Sequence, residues 1–179
     1  MDDMPHQEVY FIGIALPPEL DRQIAELKWR LHETNEVALK PLVPHVTLLN
    51  PPSLRGIMPS ELLPKVREIA SRYLPLTIAL EEIGIFGQQV CYLRAESHSL
   101  YSLQSQLVKL LPPDVRAAHY KRPYTPHVTL LQVTEPNVLD IDKTRAIVAE
   151  SISLPRQFTI DSVSCFTRIM PREYRPELI

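Results

Sequence analysis

A ten-residue segment occurs twice in this chain of 179 residues, nearly letter for letter. Residues 40–49 read KPLVPHVTLL and residues 122–131 read RPYTPHVTLL, so seven of the ten positions are identical at an offset of 82 residues. A repeat separated by almost half of the chain indicates a duplicated unit. This feature constrains the chain to a fold with two similar halves, each of which contains one copy of the segment.

Each copy has the pattern of a short strand whose two faces differ. Side chains alternate between faces along a strand, so His45 and Thr47 lie on one face and the apolar residues beside them lie on the other. The same alternation separates His127 and Thr129 from their apolar neighbours. Each strand is therefore predicted to bury an apolar face in a core and to present an imidazole and a hydroxyl on the opposite face.

Hydrophobic periodicity predicts the same order of elements in both halves: strand, helix, His-x-Thr strand, helix, strand. Ser60 and Asp142 are predicted to cap the second helix of each half, and Tyr10 aligns with Tyr92 at the offset of 82. Residues 171–179 are not assigned. Around the motif strands, strands are predicted at 9–16, 76–86, 90–96 and 157–169, and helices at 19–33, 60–73, 99–111 and 141–153.

These elements predict an α+β fold with two pseudo-twofold-related lobes, each an antiparallel sheet flanked by helices, around a central cleft. We interpret the chain as a single bilobal domain with approximate repeats 9–86 and 90–169, a size that one domain accommodates. The symmetry brings the two His-x-Thr strands together across the cleft.

Composition narrows the range of partners. The net charge of −2 and the pI of about 6.3 lack the strongly basic field that binding of long duplex nucleic acid requires. Cys91 and Cys165 are not spaced like metal ligands and are expected to be buried free thiols. Neither a signal-like N-terminus nor an apolar run of about 20 residues is found. We therefore expect a cytoplasmic monomer that acts on a small nucleotide or an RNA end.

The residue types of the repeated motif fit chemistry at a phosphodiester. Histidine has an unperturbed pKa of about 6.5, so His45 and His127 are suited to act as a general base and a general acid near neutral pH. The hydroxyls of Thr47 and Thr129 are suited to donate hydrogen bonds to phosphate oxygens. This scheme requires neither a metal nor another cofactor.

Three further residues are candidates for substrate contacts. Lys40 and Arg122 each precede a motif histidine by five residues and are candidates to neutralise phosphate charge, Arg122 in a bidentate manner. The alternative for both is a solvated cation at the start of a strand. Tyr124 is a candidate to stack on a base or to contact a phosphate, and its alternative is a rim aromatic that packs on Pro123.

The paired motifs His45-Val-Thr47-Leu and His127-Val-Thr129-Leu resemble those of the 2H phosphoesterase superfamily, in particular its 2′-5′ RNA ligase-like, RNA 2′,3′-cyclic phosphodiesterase branch. The opening strand YFIGIALPP and the lead-in RPYTPH are similar to that branch too. The resemblance implies a metal-independent phosphodiesterase that hydrolyses 2′,3′-cyclic phosphates, at RNA ends or in cyclic nucleotides, or 2′-5′ phosphodiester bonds. It also implies that the two histidines are the general acid and base, in an order left open.

Two alternatives remain at this point. The first is a binding module of the same fold that holds a nucleotide without turnover, although binding alone does not require two titrating groups. The second is a metallohydrolase that uses His45, His127 and carboxylates. Neither motif supplies a carboxylate on its His/Thr face, and the chain lacks a His-Glu-x-x-His helix, so the metal-free interpretation is preferred.

Overall fold

A computed structural model describes residues 9–35, 43–133, 139–170 and 173–179. The described part contains five α-helices and eight strands, and a short 3-10 helix at Pro51–Leu54 follows the second strand. In chain order the elements are β1 (Tyr10–Ala15), α1 (Pro18–Thr34), β2 (His45–Leu49), α2 (Pro59–Ala70), β3 (Leu76–Phe86), β4 (Val90–Glu96), α3 (His98–Val108), α4 (Pro113–His119), β5 (His127–Gln132), α5 (Ile141–Ser151), β6 (Arg156–Ile160), β7 (Ser164–Met170) and β8 (Glu173–Leu178).

All eight strands belong to one curled antiparallel sheet with the order β6-β3-β4-β5-β2-β1-β7-β8. The two motif strands, β2 and β5, are neighbours at the middle of this order. The predicted α+β class, with two related lobes and a central cleft between them, is confirmed. None of the helices in the described ranges is long and apolar enough to cross a membrane.

Strand register shows where the pseudo-twofold axis passes. Val46 pairs with Val128 between β2 and β5, and Thr77 pairs with Thr159 between β3 and β6. The partners in both pairs are 82 residues apart, and the two threonine hydroxyls lie within 2.9 Å of each other. A residue can lie opposite the equivalent residue of the other half only where the twofold axis runs between the two strands. The axis therefore enters the sheet between the two motif strands and leaves it between β3 and β6.

The core lies on the sheet face opposite the motif histidines, as the alternation in the motif predicts. Val46 and Val128 are fully buried there, and α1 and α3 cover them with leucine-rich stripes at helical spacing. Burial of these side chains provides the main favourable free energy of folding and leaves the His/Thr face outside the core. The buried apolar residues of the two helices are Leu20, Ile24, Leu27, Leu31, Leu100, Leu103 and Leu107.

The predicted helix caps were wrong. The helix α2 begins at Pro59, one residue before Ser60, so its N-cap is Met58. The fixed backbone dihedral of proline suits the first turn of a helix. The N-cap of α5 is Asp140, whose side chain accepts a hydrogen bond from the backbone N–H of Lys143 at 3.1 Å. Asp142 therefore lies inside the first turn.

The predicted strand over 157–169 was also wrong, because the chain breaks at residues 161–163. Its first part, β6, pairs with β3, whereas its second part, β7, pairs with β1 at the other end of the sheet order. The unassigned tail forms β8, which pairs with β7. A helix that sequence analysis missed, α4, begins at Pro113, whereas α3 already ends at Val108, before its predicted end at residue 111.

Candidate active site

Pairing of the two motif strands brings the four motif side chains onto one face. The middle residues of the motifs, Val46 and Val128, lie opposite each other. Extending this antiparallel register by one residue in each direction places each histidine beside the threonine of the other motif. The histidines then occupy diagonal positions, which are typically about 7–8 Å apart with their Cβ atoms somewhat closer, so that both rings can reach one phosphate group. The four side chains are those of His45, Thr47, His127 and Thr129.

The two imidazoles are anchored in the same way. Nδ1 of His45 lies 2.7 Å from the carbonyl oxygen of Val43, and Nδ1 of His127 lies 2.7 Å from the carbonyl oxygen of Thr125. Because a carbonyl only accepts, each Nδ1–H must donate, which leaves Nε2 of a neutral ring with its lone pair. The backbone two residues upstream thus selects one tautomer in both motifs and keeps Nε2 available for proton transfer.

His45 is enclosed by two phenylalanine rings. The rings of Phe11 and Phe166 lie 4.6 Å and 5.2 Å from the imidazole, and the two phenylalanines stack on each other at 4.5 Å. Both phenylalanines are almost completely buried. His45 is therefore held in an apolar pocket with little freedom to reorient.

His127 lies against a more open aromatic wall. Phe86 meets its ring edge-on at 5.0 Å, and Tyr92 lies 5.1 Å away and stacks on Phe86 at 4.2 Å. Phe86 is 38% exposed, in contrast to the buried phenylalanines beside His45. Tyr92 lies flat over Gly84, where an added Cβ would be only 2.1 Å from the tyrosine ring. A side chain at position 84 would therefore displace Tyr92 from His127.

Burial shifts both histidines towards the neutral form. Loss of hydration lowers the pKa of His45 from 6.5 to about 4, although the hydrogen bond to Val43 opposes this, and the positive charges of Lys28 and His127 add to it. Burial also lowers the pKa of His127, against the opposing effect of the Thr125 carbonyl. Both imidazoles are thus neutral at neutral pH in the ligand-free protein. A bound phosphate anion would favour protonation of either one.

The leading strands of the two halves do not correspond as the sequence alignment predicts. Gly13 pairs with Thr47 of the first motif, and Tyr92 pairs with Thr129 of the second motif. Gly13 and Tyr92 therefore occupy equivalent positions in the two halves. Positions 13 and 92 are 79 residues apart, so the alignment of Tyr10 with Tyr92 was wrong. Tyr10 instead lies in the core and donates its hydroxyl proton to the carbonyl oxygen of Ile57 at 2.9 Å. The surroundings of the two histidines therefore differ although the motifs are the same.

Arginine and alanine occupy corresponding positions beside the two histidines. Arg94 pairs with His127 across β4 and β5, whereas Ala15 pairs with His45. The Arg94 guanidinium is held by Glu96 and approaches Glu82 at 3.4 Å, and the carboxylate of Glu96 holds the pKa of the guanidinium above its usual value. Sequence analysis did not identify Arg94, because its closeness to the motif depends on the register of β4 against β5.

A cleft of about 980 Å³ opens beside His127. Thr47 of the first motif also lines it, whereas His45 and Thr129 are not among its described lining residues. One wall is the segment that leads into the second motif, with the side chains of His119, Lys121 and Arg122. No aspartate or glutamate occurs among the lining residues in the described ranges, so this wall favours an anion.

The three candidate contact residues have different positions. Arg122 is exposed on the cleft wall, where a phosphate can reach it. Tyr124 lines the same cleft, and its hydroxyl donates to the carbonyl oxygen of Thr47 at 2.7 Å. Lys40 lies outside the described residues. Across residues 9–35, 43–133, 139–170 and 173–179, no cluster of three or more His, Cys, Asp or Glu side chains is arranged to hold a metal ion.

Solved structures with the same fold include one described as a phosphoesterase, TT0787 of Thermus thermophilus and LigT of E. coli. TT0787 of Thermus thermophilus has a TM-score of 0.63 and 18% identity, with 95% of this chain and 94% of that chain covered. E. coli LigT complexed with NADP⁺ has a TM-score of 0.58 and 21% identity, with coverage of 96% and 95%. E. coli LigT complexed with 3′-AMP has a TM-score of 0.59 and 17% identity, with the same coverage. At these identities the likeness concerns the fold.

The family follows from the sequence match. The model of the 2′-5′ RNA ligase superfamily matches residues 16–169, which include both His-x-Thr motifs. The chain belongs to the 2′-5′ RNA ligase superfamily, and the resemblance to the 2H phosphoesterases is confirmed. A comparison with curated protein sequences finds no significant match.

Proposed function

We propose that this protein is a metal-independent phosphodiesterase that hydrolyses 2′,3′-cyclic phosphates, at RNA ends or in cyclic nucleotides, or 2′-5′ phosphodiester bonds. One observation carries the proposal. Two imidazoles with the same Nδ1 anchor lie at diagonal positions on one sheet face, and each has a threonine hydroxyl beside it. That arrangement suits one phosphate held between two proton-transfer groups.

The proposed reaction uses each motif once. Nε2 of one histidine takes a proton from water, and the water oxygen forms a bond to phosphorus. The bond from phosphorus to one ribose oxygen breaks, and that oxygen takes a proton from Nε2 of the other histidine. The hydroxyls of Thr47 and Thr129 donate to the non-bridging oxygens, whose negative charge grows in the transition state. Arg122 neutralises part of the phosphate charge from the cleft wall.

The substrate class rests on the cleft and on the structural relatives. E. coli LigT has been crystallised with 3′-AMP and with phosphate, which are a nucleotide and an anion of the kind that the cleft favours. A nucleotide or an RNA end is therefore proposed as the substrate, bound by a monomer. The two buried cysteines are free thiols, which supports a reducing compartment such as the cytoplasm.

Hydrolysis is expected to survive exhaustive chelation, because the proposed scheme uses only imidazoles, hydroxyls and a guanidinium. The test is product analysis on the four 2′,3′-cyclic mononucleotides with and without EDTA, scoring 2′- against 3′-phosphate. Loss of activity in EDTA that a divalent ion restores would contradict the scheme and favour the metallohydrolase. Binding of these nucleotides without any turnover would instead favour the binding module.

The pH dependence of kcat/KM is expected to be bell-shaped with its maximum below pH 6.5. This parameter reports the pKa values of the free enzyme. It rises as the base loses its proton and falls as the acid loses its proton, and the pKa is about 4 for His45 and lowered from 6.5 for His127. The maximum of kcat should lie at a higher pH, because the bound phosphate raises both pKa values. Initial rates between pH 3.5 and about 9 give both profiles, and a kcat/KM profile without a falling limb would contradict the two-histidine scheme.

A further inference from the structure

The two motif strands are paired over a short length. The register joins β2 to β5 through one residue pair, Val46 and Val128, whereas β4 and β5 are paired along Val90–Arg94. The relative placement of the two histidines therefore depends on more than this backbone pairing. Other bonds between the lobes must help to hold the general acid and the general base at a fixed separation.

Two tyrosine hydroxyls supply such bonds from the segment at residues 120–126, which we call the bridging segment. The hydroxyl of Tyr124 donates to the carbonyl oxygen of Thr47 at 2.7 Å. The hydroxyl of Tyr120 accepts from the backbone N–H of Asn50 at 3.2 Å and lies 2.9 Å from the hydroxyl of Ser53. All three partners belong to the first half of the chain, in β2 or just after it.

The other end of the bridging segment is attached to the second lobe. The carbonyl oxygen of Pro126 accepts a hydrogen bond from Ala95 of β4 at 2.9 Å, and His127 follows directly. The carbonyl oxygen of Thr125 holds the His127 ring at Nδ1. The bridging segment thus links the backbone of the first motif to the residue that orients the second histidine.

We propose that Tyr124 is a positioning residue that sets the distance between His45 and His127, with Tyr120 as a second anchor. The inference rests on the proposed function, since the distance matters only if both histidines act on one phosphate. Burial raises the pKa of the Tyr124 phenol, so this hydroxyl stays protonated and remains a donor at every pH at which the enzyme is assayed. A displacement of about 1 Å between reacting groups lowers rates by up to about 10²-fold.

The test is steady-state kinetics of Tyr124→Phe on a 2′,3′-cyclic mononucleotide. This substitution removes only the hydroxyl and keeps the ring, including its edge-on contact with Tyr101 at 5.9 Å. We expect kcat to fall by about 10- to 100-fold while KM is unchanged. A rise in KM at constant kcat would show that the hydroxyl contacts substrate, and unchanged kinetics would show that it has no role. Either result overturns the proposal.

Tyr10→Phe is the matched control. The hydroxyl of Tyr10 also donates to a backbone carbonyl, that of Ile57 at 2.9 Å, but both residues belong to the first half of the chain and the bond does not join the two motifs. We expect wild-type kcat, and a loss equal to that of Tyr124→Phe would overturn the proposal. Tyr120→Phe is a second variant that should lower kcat in the same direction if Tyr124→Phe does not fold.

An NMR titration with inorganic phosphate separates failure of this inference from failure of the proposed function. In the wild type, one phosphate should shift the imidazole signals of His45 and His127 with a single saturation curve. In Tyr124→Phe the two signals should no longer respond together, and a joint response would overturn the inference. Absence of wild-type turnover on every cyclic phosphate would defeat the proposed function but leave this titration valid.

Discussion

Replacement of either His45 or His127 by alanine is expected to lower kcat on a 2′,3′-cyclic nucleotide by about 10²–10⁴-fold. Each imidazole has its own proton to move, so the remaining histidine cannot replace the missing one. The fold should be retained, because both side chains are half-buried on the His/Thr face of the sheet and neither lies in the apolar core. The measurement is steady-state turnover, with circular dichroism to verify the fold.

His98→Ala is the control for these variants. His98 is exposed at the first residue of α3, outside the cleft, and its loss should leave turnover unchanged. Both active-site variants should still bind a nucleoside monophosphate weakly through Arg122 and the threonines. Near wild-type turnover by either single mutant on every cyclic phosphate tested would show that the two-histidine mechanism is wrong.

Substitution of Thr47 or Thr129 by valine is expected to lower kcat by about 10–10³-fold, the range for loss of one donor to a developing oxyanion. Valine keeps the shape of threonine and its preference for strands, so the effect should come from the missing hydroxyl. The measurement is kcat and KM for both variants on the same cyclic nucleotide. A lower kcat with little change in KM would indicate a bond that strengthens in the transition state.

Thr77→Val provides the matched control for the threonine variants. Thr77 is also a strand threonine, but its hydroxyl meets that of Thr159 at the far end of the twofold axis, away from the motifs. Turnover by Thr77→Val should equal that of the wild type. A rise in KM without a change in kcat for both motif variants would mean that the hydroxyls bind substrate and transition state equally, contrary to the proposed role.

The parts of the molecule that follow from local periodicity could be predicted from the sequence. Alternation placed the motif histidines and threonines on one face and their apolar neighbours in the core, and helical spacing identified α1, α2, α3 and α5. The repeat at 82 residues correctly implied that β2 and β5 are related by the twofold axis. These features depend on side chains that are near one another in the sequence or on the repeat itself.

The surroundings of the histidines could not be predicted, because they depend on the register of each strand against its neighbours. Ala15 pairs with His45 and Arg94 pairs with His127, so the second half has three more residues between its leading strand and its motif than the first half has. Local periodicity shows neither this difference nor the bulges at Ile12/Gly13 and Cys91/Tyr92. The aromatic residues beside the histidines, the place of Arg94 and the hydroxyl contact of Tyr124 all depend on this long-range register.

The unequal aromatic surroundings of the two histidines have a consequence for how the acid and base roles are divided between them. Two identical motifs in identical surroundings would accept a cyclic phosphate equally well in two opposite orientations, and each histidine would be the acid in one orientation and the base in the other. Here one imidazole is enclosed by buried rings, and the other borders the open cleft beside Phe86. A nucleoside would have room on one side only, so the duplicated and nearly symmetrical backbone is expected to give one histidine the fixed role of acid and the other that of base.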